Sequence, residues 1–95
     1  MASDKEQMMS SANYYAGLVT AAKNDCQDAF IQLITPINEI ERYWQGASGA
    51  QMAQSLEDTR QKIKGVYDRL VRLESQMKTQ ASKIYNTWPE SEEVT

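Results

Sequence analysis

Three kinds of residue in this 95-residue chain could carry chemistry: one cysteine, Cys26; thirteen acids; and two tryptophans, Trp44 and Trp88. A nucleophilic thiol needs a base to take its proton, and the chain has no histidine to serve. Cys26 falls on an apolar series, where a small buried hydrophobe is its expected role and a bridge between subunits the alternative. One cysteine without histidine also leaves a zinc site short of ligands. General acid–base work needs two carboxylates held in a pocket with separated pKa values. Here the acids are spread along the chain, as in the spacings Asp68 with Arg72 and Glu74 with Lys78, which suit solvated helix faces. The expectation is a protein with no catalytic residue, no cofactor and no metal, acting by contact.

The elements that would carry such contacts are helices. Gly occurs 4 times and Pro twice, too few for a turn-rich chain. Apolar or small residues recur at Met8, Ala12, Tyr15, Val19, Ala22, Cys26, Phe30, Leu33, Ile37, Ile40 and Trp44 in steps of three and four. A second series runs through Met52, Leu56, Thr59, Ile63, Val66, Leu70, Leu73, Met77, Ala81, Ile84 and Trp88. Tyr14 and Tyr15 are neighbours and face different sides of a helix, and Tyr15 is assigned to the seam.

Between the series lies Trp44-Gln45-Gly46-Ala47-Ser48-Gly49-Ala50-Gln51. Gly46 suits a helix end that needs positive φ, and Ser48 with Gln51 reads as a capping box for the next helix. Asp4 with Gln7 offers a similar start for the first helix, with Ser10 or Ser11 as alternatives. The spacing predicts a helical hairpin over 1–89: helix 1 about 5–44, a turn at 45–48 and helix 2 about 49–87, then a flexible acidic tail at 90–95. Helices of roughly 35–40 residues are about 50–60 Å long, and a short connection forces them antiparallel. Pro36 conflicts with an unbroken helix 1. A kink is expected rather than a loop, because the apolar phase passes from Leu33 to Ile37 without a slip.

Leu18, Ile31 and Ile34 lie beside the main series, and a single-layer hairpin would leave them wet. A chain this short gains stability by self-association when disulfides and metals are absent. The expected fold is therefore all-α, an antiparallel hairpin dimerising into an elongated four-helix bundle, with Tyr15, Val19, Phe30, Ile34, Ile37 and Leu70 in the core or dimer contact. Net charge is −3 with no concentrated basic face, which argues against nucleic acid as a partner. No run approaches the ~18 apolar residues of a membrane span. Met1–Thr20 carry Asp4 and Glu6 and no apolar stretch of signal-peptide length.

A Trp-x-Gly, here Trp44-Gln45-Gly46, placed mid-chain between two long amphipathic helices in a chain of nearly one hundred residues, resembles the WXG-motif family of small early-secreted-antigen-like proteins, the substrates of type VII secretion. The resemblance covers nearly the whole chain. It implies helix-turn-helix hairpins forming antiparallel homodimers or heterodimers. It also implies export without a cleavable signal peptide by a membrane ATPase-driven machine of Gram-positive and mycobacterial-type bacteria, and virulence-associated roles as effector or co-secreted partner. Trp44 and Gly46 would be the turn and export motif, the protein cytoplasmic before export and extracellular after it. Family members often carry Tyr-x-x-x-Asp/Glu after helix 2. Here Pro89 occupies the acid's place after Tyr85, and the acid arrives one residue later at Glu90. Tyr85 and Glu90 then form a degenerate signal, or a partner chain supplies it. The alternative function is an intracellular adaptor that heterodimerises with the helical N-terminal region of a larger effector.

Overall fold

The computed structural model describes residues 3–89. Three helices follow in order: α1 (Asp4–Gln32), α2 (Ile34–Tyr43) and α3 (Ala47–Asn86). Among the described residues there is no strand.

Ser3 sits in extended backbone, and its Oγ accepts the Glu6 N–H at 3.2 Å. This Ser-x-x-Glu start lies one residue before the expected Asp4. A serine hydroxyl is a good N-cap, and Asp4 and Glu6 place negative charge at the positive end of the helix dipole.

α1 and α2 are one bent rod. Leu33 keeps right-handed helical angles, its N–H donates to the Ala29 carbonyl at 3.1 Å, and the Ile37 N–H donates to the Leu33 carbonyl at 3.2 Å. Pro36 has no N–H to offer the Gln32 carbonyl, so the ladder loses a rung there. Pro36 is the third residue of α2, in a first turn where the missing donor costs little. The proline therefore kinks the rod, as the unbroken apolar phase predicts.

At the other end α2 closes with the Trp44 N–H on the Ile40 carbonyl at 3.0 Å, and Trp44 leaves the helix in extended backbone. Gly46 takes φ +88°, a region that costs a glycine little and a side chain more. The chain re-enters a helix at once, at Ala47. Gly46 is the N-cap and no side chain caps α3, so the expected Ser48–Gln51 box does not cap it: Ser48 already lies in the first turn. α3 ends at Asn86, where the Thr87 N–H and hydroxyl both donate to the Lys83 carbonyl.

The hairpin measures 72 × 20 × 14 Å with a radius of gyration of 21.3 Å, against ~12 Å for a compact chain of this length. A rod one helix thick buries little. The buried apolar side chains are Ala16, Ile37, Ile40, Ala53 and Ala81, and no described side chain is fully enclosed.

Three residues of the first apolar series lie off the seam. Tyr15 is 53% exposed and meets Tyr14 edge-on at 5.4 Å between ring centroids; Ala16 holds the seam position instead. Ala12, Ala16 and Ala81 line one crevice between α1 and α3, and a phenol ring is too bulky for so close an approach. Trp44, the last member of that series, is 55% exposed, because its extended backbone carries the side chain off the α2 face. Ala22 is exposed as well.

Candidate interaction surface

α3 carries three parallel rows of residues, each at seven-residue spacing. Ala53, Arg60, Tyr67, Glu74 and Ala81 form the first, and all are buried or half-buried against the rod of α1 and α2. Leu56, Ile63, Leu70 and Met77 form the second, half-buried throughout. Met52, Thr59, Val66 and Leu73 form the third, and all are exposed. A seven-residue repeat keeps one face toward one partner. The apolar stripe of α3 is thus split lengthwise: its second row packs toward α1 as far as Met77, its next member Ile84 being 45% exposed, and its third row faces outward. On α1, Leu18, Ile31 and Ile34 are exposed at 51%, 55% and 39%.

The first row makes polar contacts across the seam. The Arg60 Nε donates to the Phe30 carbonyl at 2.9 Å, its guanidinium lies 3.8 Å over the Phe30 ring, and its Nη1 pairs with Glu57 at 3.4 Å. Phe30 is among the last four residues of α1, whose carbonyls have no partner within the helix. Arg60 therefore caps α1 from α3 at the bend. Farther along, the Thr20 hydroxyl is hydrogen-bonded to the Glu74 carboxylate, and Lys23 Nζ stands 3.4 Å from it. The Thr20 hydrogen bond, the largest influence, holds the Glu74 carboxyl below its ordinary range; burial, next in size, pushes it up, and the hydrogen bond and charge of Lys23 add to the lowering. Glu74 thus looks across the seam to Lys23, with Lys78 a weaker influence than the expected helix-surface pair implied.

Beside Arg60, Phe30 and Ile31 of α1 and Tyr67 of α3 line an open groove of about 280 Å³, flanked by Gln27, Lys64 and Asp68. At the tip, Tyr43 is 68% exposed beside Trp44, with the Arg42 guanidinium 5.6 Å from the Tyr43 ring. Gly49 is buried in the first turn of α3 against the backbone of Trp44. At the open end, Lys5 Nζ lies 4.1 Å above the Tyr85 ring, which is 38% exposed. Glu90 and the acidic segment 90–95 fall outside the described residues.

The remaining expected core positions divide between two settings. Ile37 is buried, while Val19, Phe30, Leu70 and Cys26 are half-buried along the seam. The structure brings Phe30 to Arg60; it places Trp44 and Gly46 about the length of the rod away from Tyr85. Sequence reasoning missed Ser3 and Thr20, and the roles that Gly49, Arg60 and Glu74 take in the packed hairpin. The signal for the last two was the seven-residue row that runs from Ala53 to Ala81. Among the described residues no group of three or more His, Cys, Asp or Glu side chains could hold a metal ion, and no helix is long and apolar enough to cross a membrane. No family model, curated protein or solved structure matches this chain.

Proposed function

We propose that this protein is a small secreted substrate of a type VII system, similar to the WXG-motif family, and that it works through helix-mediated protein contacts as an effector or co-secreted partner rather than by catalysis. The observation that carries the reading is the tip: a Trp-x-Gly whose glycine makes the turn at positive φ and whose tryptophan stands in solvent between two long helices. Recognition residues concentrate on such turns. The outward row of α3 adds a reason for a partner, since Met52, Val66 and Leu73 remain uncovered in the hairpin. A second hairpin laid on that row would complete an elongated four-helix bundle. The occupant is a copy of this chain or, in the adaptor reading, the helical region of a larger effector. Mixing the chain with such a region and weighing the product separates the two.

The test is export. The full chain should appear in culture medium with its N-terminus uncleaved, and deletion of the secretion ATPase should remove it from the medium. Unchanged extracellular levels in the deletion strain would refute the proposal.

A further inference from the structure

We infer that Gly49 is a positioning residue of the turn, required together with Gly46 to set how Trp44 is presented. A Cβ on Gly49 would lie 2.5 Å from the Trp44 carbonyl oxygen, 2.8 Å from the Trp44 Cβ and 3.0 Å from its carbonyl carbon. These are backbone and near-backbone atoms, so no side-chain rotation relieves the overlap. Gly17 and Gly65, inside helices of the same hairpin, have nothing within 4 Å of an added Cβ. Helix interiors favour alanine over glycine, and Gly49 is the helical glycine where the structure itself forbids the exchange.

The two turn glycines act differently. Gly46 reverses the chain through its φ of +88°. Gly49 has ordinary helical backbone and contributes only the absence of a side chain, which lets the Trp44 peptide lie directly on the first turn of α3. That contact fixes the Trp44 Cα–Cβ direction and so the direction in which the indole leaves the tip. α3 has no side-chain cap to hold its start, so this backbone contact is what seats the first turn of α3 against the tip. The geometric claim stands by itself; its consequence for recognition rests on the export reading above.

The first measurement uses the unaltered protein. Nuclear Overhauser contacts are expected between the Gly49 α-protons and the Trp44 β-protons, and their absence overturns the assignment. In a Trp88→Phe background, where Trp44 is the remaining indole, Gly49→Ala should shift the emission maximum and change acrylamide quenching, while Gly65→Ala should do neither. Equal spectra for the two variants overturn it too. In the natural background, Gly49→Ala should lower export toward the level of Trp44→Ala with helical circular dichroism retained, and Gly65→Ala should be exported normally. Normal export of Gly49→Ala overturns the recognition role. If the unaltered chain is not exported, the functional reading fails while the Overhauser and fluorescence results still decide the role of Gly49. If Gly49→Ala does not fold, the Overhauser contacts decide it alone.

Discussion

The Arg60 guanidinium lies 3.8 Å over the Phe30 ring while its Nε donates at 2.9 Å to the carbonyl of the same residue. One side chain of α3 thus grips both the backbone and the ring of a residue three positions before the bend at Leu33. The bend frees carbonyls that a continuous helix would satisfy, and Arg60 supplies a donor to one of them. The α1–α2 kink and the α3 register are consequently coupled at a single place.

Arg60→Ala should cost about 1–3 kcal/mol in urea denaturation, the range for a lost charge-assisted hydrogen bond and a partly covered cation–π contact. Arg60→Lys should recover only part of it, because an ammonium lacks the planar fork that stacks and donates at once. Full recovery by lysine would show that charge alone is used there.

Glu74 gives the hairpin an acid-sensitive contact. Its carboxyl is held below the ordinary value of 4.5 by the Thr20 hydroxyl and then by Lys23. A carboxyl whose folded-state pKa is depressed binds fewer protons when folded, so its stabilisation is present above the unfolded value and is lost as pH falls through the folded one. The stability difference between the natural chain and Glu74→Gln should be largest near neutrality and close below pH 4.5. Denaturation midpoints of both proteins across that range measure it. A difference that stays constant with pH would mean the carboxylate charge is not used.

The helices, the antiparallel return and the kink at Pro36 were legible because each rests on local signals: three-and-four spacing, a glycine at the turn, a proline without a phase slip. The face of α3 that meets α1 was not. Hydrophobicity points to the Met52–Leu73 and Leu56–Met77 rows, whereas the hairpin seam uses the Leu56–Met77 row together with Ala53, Arg60, Tyr67, Glu74 and Ala81. Arg60 and Glu74 read as surface charges until α1 brings Phe30, Thr20 and Lys23 to them. Tyr15 misled for the complementary reason: it is apolar enough for the seam but too large where alanines meet. Polar partners distant in sequence and steric room between helices are properties of the packed pair, and neither leaves a mark in one helix's periodicity.

Gly17 and Gly65 should both improve stability when changed to alanine, by about 0.5–1 kcal/mol each, because an added methyl meets nothing and removes backbone entropy from the unfolded chain. Gly46→Ala should destabilise, since an L residue at φ +88° is strained. Thermal melts of the three variants check this, and a stabilising Gly46→Ala would contradict the turn geometry.

The outward row of α3 makes the strongest claim on a partner. Val66 and Leu73 are 46% and 42% exposed, one heptad apart, and neither belongs to the buried set. Replacing both with lysine should leave the hairpin's helical circular dichroism near that of the natural chain, because surface substitutions usually change stability by less than about 0.5 kcal/mol. The same pair should abolish self-association measured by light scattering, because lysines at the centre of an apolar contact would have to be desolvated on docking. A double variant that associates as the natural chain does would place the interface elsewhere, with the Phe30–Tyr67 groove on the other rows as the next surface to change. A natural chain that is a stable monomer at every concentration would remove the case for a second hairpin on this row.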